Sequence, residues 1–139
     1  MKRMDLLEVV TVGFPFCGFK ILAGLSFGGS AGGLLVAWGA LDGAVNIVNL
    51  ASLAASGRRV SPACLFSLLA RAWRGSSPGW QELGNSLDVL VSFVLVAAMV
   101  ASGSIAALPS RELAAWNACV ILNVLGAGLG RFGAALARL

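Results

Sequence analysis

Four long apolar runs dominate this sequence. They fall at about residues 8–27, 31–55, 87–108 and 113–132, and each is close to the roughly 20 residues that an α-helix needs to cross a bilayer. Of the 139 residues, 58% are hydrophobic and only 12% are charged, which is about half the charged share of an ordinary soluble domain. The sequence therefore predicts one transmembrane domain, an all-α bundle of four membrane helices.

The connection between the first two helices has two possible positions. Glycine and serine dominate SFGGSAGG at 26–33, and both residue types favour a turn over a helix. A hairpin at 37–43, AWGALDG, is the alternative. Both positions leave the two termini on the same side of the bundle.

The segment 58–86 separates the second and third runs. Pro62 is suited to the first turn of a short helix, and apolar side chains then recur at near-helical spacing. Trp73 and Trp80 are residues of the kind that lies at the level of the lipid headgroups. This pattern favours an amphipathic helix lying in the membrane interface, whereas a cytoplasmic loop packed on the bundle is the alternative. The recurring apolar positions are Leu65, Leu68, Leu69 and Trp73.

The basic residues give the orientation. In a four-span topology Arg111 alone falls on one side, and Lys20 lies inside a span. Cytoplasmic loops of membrane proteins carry the excess of lysine and arginine, so both termini are expected in the cytoplasm and the membrane is expected to be a bacterial inner membrane. The residues on the cytoplasmic side are then Lys2, Arg3, Arg58, Arg59, Arg71, Arg74, Arg131 and Arg138.

A polar stripe interrupts the second apolar run. Asp42, Asn46 and Asn49 are spaced i, i+4, i+7, so they share one helix face. A charged side chain at the centre of a bilayer costs roughly 2.5–3.5 kcal/mol on insertion scales. This face is therefore expected to look at protein or water instead of lipid.

Lys20 is the candidate partner for Asp42. Each lies near the middle of its run, and a hairpin at 26–33 brings the two to similar depth. We expect a buried Lys20–Asp42 ion pair. The alternative is that Lys20 extends to the interface while Asp42 is protonated or bonded to the asparagines.

The other two runs add polar positions. Asp88 is expected near the cytoplasmic end of the third helix, where Arg74 or Arg131 is a possible partner. A polar interior of this kind serves either as interhelical hydrogen bonding, worth about 0.6–2 kcal/mol per contact, or as a path for a solute or ion. The residues predicted to line it are Lys20, Asp42, Asn46, Asn49, Ser92 and Asn123.

Two further sets of residues are candidates for contact with helices and lipid. Glycines spaced four apart allow helices to approach closely, and these are Gly39 with Gly43 and Gly126 with Gly130. Arginines of the segment 58–86 are suited to anionic lipid headgroups, and these are Arg58, Arg59, Arg71 and Arg74.

The chain lacks residues that several classes of function require. The chain has no histidine, which removes the Ser–His and Cys–His catalytic pairs. Cys17, Cys64 and Cys119 are far apart in sequence, so no thiolate metal cage is expected. The motifs GxSxG at 28–32 and GxGxxG at 128–133 have no strand before them, as each of their known sites requires. No enzyme activity, cofactor, metal or nucleic-acid partner is expected.

The sequence ranks three functions for such a membrane protein. A non-enzymatic accessory subunit that packs against itself or a larger membrane assembly comes first. A small oligomeric transporter or channel that uses the polar face of the first two helices is the alternative, and a lipid-binding membrane protein is the third.

Overall fold

The computed structural model describes residues 6–62, 64–75 and 77–136, and within these ranges the chain is helical with no strand. The first helix contains a π-helical turn at Val9–Gly13, and a 3₁₀-helix, Ser104–Ala107, precedes the last one. In chain order the helices are α1 (Leu6–Phe27), α2 (Gly29–Ser56), α3 (Leu65–Arg74), α4 (Pro78–Ala101) and α5 (Ser110–Leu136).

Four of these helices are long and apolar enough to cross a membrane: α1, α2, α4 and residues Ser110–Gly130 of α5. This indicates a membrane protein of the multi-pass kind. Lys2, Arg3 and Arg138, which contribute to the predicted orientation, lie outside the described residues.

The turn between α1 and α2 is made at Gly28 and at Gly29, the first residue of α2. Both have positive φ values, 64° and 61°, in the region that only glycine enters without steric cost. The two helices then run back against each other closely, because a Cβ on Gly24 or Gly32 would overlap the backbone of the other helix. The hairpin predicted at 26–33 is confirmed, and the alternative at 37–43 is wrong because those residues lie inside α2.

The third membrane helix begins earlier than predicted. α4 starts at Pro78, within the segment 58–86 that was assigned to the interface, and not at residue 87. Proline is favoured in the first turn because its fixed φ suits a helix and its missing N–H has no partner there in any case. The helix also ends earlier, at Ala101 instead of 108, because Gly103, two residues later, adopts a positive φ of 69°.

The chain between α2 and α3 folds back along α2. The Asn49 side chain accepts a hydrogen bond from the Ser61 N–H (3.1 Å) and donates one to the Pro62 carbonyl (3.4 Å). These contacts carry the chain toward the middle of α2, where α3 starts. α3 then packs on α4 where Gly84 lies directly against the backbone of Phe66 and Ser67.

An apolar cluster fills the half of the bundle that lies toward the α1–α2 turn. Its rings are in mutual contact, with Phe19 and Trp116 centroids 5.0 Å apart. The opposite half, around the end of α2 and the start of α4, contains most of the polar groups. The buried members of the apolar cluster are Phe16, Phe19, Leu22, Ala23, Met99 and Trp116.

Candidate functional site

A buried lysine lies between two carboxylates from two other helices. The Nζ atom of Lys20 on α1 is 2.5 Å from Oδ2 of Asp42 on α2 and 2.6 Å from Oδ1 of Asp88 on α4. The exposed fractions are 0%, 1% and 5%, respectively. The predicted Lys20–Asp42 pair is present, and Asp88 joins it. Arg74, one of the two expected partners of Asp88, lies over Trp80 instead, and the side chain of the other, Arg131, lies outside the described part of the chain.

The second oxygen of Asp42 holds the start of α3. The Leu65 N–H donates to Asp42 Oδ1 at 2.6 Å, so this carboxylate caps a helix that is distant in sequence. The first N–H groups of a helix lack partners within it, and a carboxylate at this end is stabilised by the helix dipole. Asp42 therefore ties together α1, α2 and α3, and its two oxygens are both engaged.

Trp38 covers the lysine from the side of α2. The Lys20 Nζ atom lies 4.7 Å from the centroid of the Trp38 ring, within the range of a cation–π contact. The ring itself packs edge-on against Phe66 of α3, with centroids 4.7 Å apart. This aromatic contact continues the link between the ammonium group and α3.

Asn46 presents an unsatisfied acceptor beside the cluster. Its Nδ2 donates to the Asp42 carbonyl at 2.9 Å and contacts the Cys17 sulfur at 3.5 Å. The contact with the Asp42 carbonyl shows which end of the Asn46 amide is the nitrogen, because only the nitrogen can donate to a carbonyl oxygen. Its Oδ1 is buried with no hydrogen-bond partner among the described residues, and Asn46 lines the cleft described next.

A narrow cleft joins this cluster to one end of the bundle. It encloses about 40 Å³ and is lined at its inner end by Asp42, Asn46 and Asp88. That volume has room for about three waters. At the outer end Glu8 and Arg59 line it, and they form an ion pair with an N–O distance of 2.8 Å.

The outer end of the cleft widens into a polar hollow. This hollow encloses about 450 Å³ and shares Glu8, Arg59 and Asn85 with the cleft. Arg71 and Glu82 also line it. Charged side chains of both signs therefore surround the mouth, and water can reach the cleft from this end.

The charge of the cluster distinguishes it from a simple ion pair. Two carboxylates contribute −2 and one ammonium contributes +1, so the ionised cluster carries −1. The start of α3 offsets part of this, since a helix N-terminus acts as roughly half a positive charge. A net negative charge in a poorly solvated interior is unfavourable, so the site is suited to accepting one further positive charge.

The other predicted polar residues are distributed more widely. Asn49 holds the fold-back segment, and the Ser92 hydroxyl donates to the Asp88 carbonyl of its own helix at 2.8 Å. Asn123 lies apart from the cluster and donates to the Thr11 carbonyl at 3.3 Å. Pro15, four residues after Thr11, has no N–H to donate to that carbonyl, and Asn123 donates to it from α5. The structure therefore brings Lys20, Asp42 and Asn46 together but not Asn123.

Of the four candidate packing glycines, two lie in close contacts between helices and two do not. Gly39 lies against the Cys17 carbonyl and Gly126 lies against Thr11, so both sit in tight helix contacts. Gly43 only approaches the Cys17 side chain, at 4.0 Å from a would-be Cβ, and Gly130 has open space beside it.

The four candidate lipid-contact arginines have different surroundings. Arg59 pairs with Glu8, Arg71 lines the polar hollow, and Arg74 lies over the Trp80 ring at 5.3 Å. Arg58 is exposed, and its carbonyl accepts a hydrogen bond from Ser52.

Cys64 marks the junction between α3 and α4. It is 3% exposed, with its sulfur 3.4 Å from the Ser67 hydroxyl and 3.8 Å from the Gly84 carbonyl. Burial raises the pKa of the Cys64 thiol above its ordinary value, so the group stays protonated and unreactive while α3 is docked.

Two members of the site were missed in the sequence. Asp88 was assigned to a helix end because the start of α4 was placed too late; Pro78 with Ser77 before it is the signal that places Asp88 well inside the helix. Trp38 lies four residues before Asp42, so the shared helix face was visible in the spacing.

Fold and site together define a multi-pass helical membrane protein with a buried ionic cluster. Comparison with family models, curated proteins and solved structures found no match to this chain. Among residues 6–62, 64–75 and 77–136, no group of three histidine, cysteine, aspartate or glutamate side chains is placed to hold a metal ion.

Proposed function

We propose that this protein is a small transporter that moves protons across the membrane through the Lys20–Asp42–Asp88 cluster. The observation that carries the proposal is the cluster itself, two carboxylates and one ammonium at the inner end of a water-sized cleft. Intramembrane ionisable groups are expensive to bury and commonly belong to ion or proton pathways. For the polar interior, the sequence favoured interhelical hydrogen bonding over a solute path because it offered one deep acid that a lysine would neutralise; Asp88 adds a second buried carboxylate.

The size of the cleft favours a proton over a larger solute. About 40 Å³ admits a few waters but no organic molecule, and a metal cation would have to displace the ammonium from both carboxylates. A proton needs only a chain of waters and an acceptor oxygen. When one carboxylate takes it, Lys20 pairs with the other and the cluster becomes neutral.

Asp88 is the carboxylate that we assign to the transported proton. Asp42 uses one oxygen for Lys20 and the other for the α3 N–H. Among the described residues, the Asp88 side chain is contacted at one oxygen only, by the Lys20 ammonium. Asp88 also lines the cleft, so its remaining oxygen is the accessible acceptor.

The test is proton flux in liposomes that contain a trapped pH dye and the purified full chain. A membrane potential should drive a dye response in the wild type, and Asp88→Asn should reduce it to the level of protein-free liposomes. Glu112→Gln, which removes an acid from the first turn of α5, outside the lining of the cleft and the hollow, should keep the wild-type rate. No response in the wild type, or an unchanged rate in Asp88→Asn, would contradict the proposal.

The orientation that goes with this proposal has the cleft facing the cytoplasm of a bacterial cell. Arg59 and Arg71 both lie at the mouth of the cleft, whereas Arg111 is at the start of α5, on the far side. The positive-inside rule supports a cytoplasmic mouth and cytoplasmic termini, with α3 in that interface.

A subunit of a membrane assembly, oligomeric with itself or with other chains, is the second candidate function. It is favoured by the exposed surface of α5 around Gly128, where a Cβ would meet nothing within 4 Å. Small residues on a lipid-facing helix permit a second helix to approach. Crosslinking in mild detergent should show a defined oligomer that Gly128→Leu disrupts, and a monodisperse monomer with no associated chain would exclude it.

A further inference from the structure

An apolar groove lies between α3 and α4 on the side away from the cleft. It encloses about 610 Å³ and opens to the surface. Large apolar side chains are exposed along it, including Leu69 at 54% and Trp73 at 87%. Its inner edge is closed where Gly84 meets the backbone of Phe66.

The charge on the described lining of the groove is positive. Arg74 is the single charged side chain among the residues that line it, and the acids of this region line the polar hollow instead. The Arg74 guanidinium lies 5.3 Å from the Trp80 ring centroid, which keeps the cation at the outer end of the groove. Leu87 is seven residues further along α4, about 10 Å deeper by helix rise.

We propose that this groove binds one anionic phospholipid, with its phosphate at Arg74 and an acyl chain along Trp80, Leu83 and Leu87. An aromatic and basic outer end above an apolar inner end matches the headgroup-to-chain gradient of a lipid. A second copy of the same face would bring no acid to Arg74, since Arg74 is the one charged residue in the described lining. The site is independent of the ionic cluster, and its test does not involve proton flux.

Tryptophan quenching by brominated lipids tests the site in the full chain. In a Trp38→Phe, Trp116→Phe background, Trp73 and Trp80 are the remaining indoles. The protein is reconstituted with either brominated phosphatidylglycerol or brominated phosphatidylcholine at equal mole fraction. The brominated phosphatidylglycerol should quench more strongly, because the anionic lipid is enriched in the groove above its bulk fraction.

Arg74→Gln should abolish this difference between the two lipids, whereas Arg58→Gln should leave it unchanged. Ala70→Phe, which fills the groove without altering charge, should reduce quenching by both lipids. Equal quenching by the two lipids in the wild type, or a difference that depends on Arg58, would overturn the proposal. So would a crosslink between copies through Leu69→Cys, since a second copy would then occupy the groove.

Discussion

At the residue scale, Lys20 holds the buried site together. Lys20→Met leaves Asp42 and Asp88 buried and facing each other without a cation. Removing one partner of a buried ionic contact typically costs about 3–5 kcal/mol, because an uncompensated charge remains in the interior. We expect a loss of this order in the free energy of unfolding, measured by denaturant titration in mixed micelles.

The matched control removes all three charges together. Lys20→Met with Asp42→Asn and Asp88→Asn should recover part of the lost stability, since no unpaired charge remains and the asparagine at position 42 still presents an oxygen to α3. If Lys20→Met alone is as stable as the wild type, the cluster is not an ionic contact of the kind described.

Asn123 and Pro15 should be coupled energetically. Asn123→Leu leaves the Thr11 carbonyl without its side-chain donor, at an expected cost of about 0.6–2 kcal/mol. In a Pro15→Ala background the new N–H serves that carbonyl, so the same substitution should cost less. A double-mutant cycle on unfolding free energies measures the difference, and additive effects would show that the two residues act separately.

At the element scale, the start of one helix decided how much of the site could be predicted. Asp42, Asn46 and Lys20 were predictable because each lies within a long apolar run, where burial follows from hydropathy alone. Asp88 was not, because starting α4 at residue 87 places it at the first turn, whereas the start at Pro78 places it about 15 Å along the helix. The cap on α3 was beyond prediction, since it joins residues 23 apart through a fold-back that depends on Asn49.

The docking of α3 should depend on Asp42. Asp42→Ala removes the acceptor for the Leu65 N–H, and loss of a helix cap costs about 0.5–2 kcal/mol. In a Cys17→Ser, Cys119→Ser background, Cys64 reports on docking because it is buried under α3. We expect maleimide labelling of Cys64 to accelerate by roughly 2–30-fold, in proportion to local opening.

The control for this labelling is Arg111→Gln at the far end of the bundle, which should leave the rate unchanged. Asp42→Asn should give an intermediate rate, because the amide keeps an acceptor oxygen but loses the charge. Equal labelling of Cys64 in the wild type and in Asp42→Ala would show that α3 is held without the cap.

At the scale of the whole molecule, the bundle has a polar half and an apolar half. The cleft enters from the end at Glu8 and Arg59, and the apolar cluster around Met99 and Trp116 fills the opposite half. In the part of the chain that the structure describes, the cleft therefore opens the ionic cluster toward the Glu8 and Arg59 end, and the apolar cluster lies on its other side. Alternating access needs such a one-sided state, whereas an open channel does not.

One-sided access can be measured with a charged, membrane-impermeant thiosulfonate on single cysteines. All three native cysteines are replaced by serine, and Asn85→Cys reports on the mouth of the cleft while Ala107→Cys reports on the far end. Reagent added to inverted vesicles should label Asn85→Cys, and reagent added to right-side-out vesicles should label Ala107→Cys, because the two positions lie on opposite sides of the apolar cluster. Met99→Cys, inside that cluster, should resist labelling from both sides. Labelling of Asn85→Cys from both sides would mean that water passes through the apolar half, and the protein would then have to work as a channel instead of a transporter with a closed face.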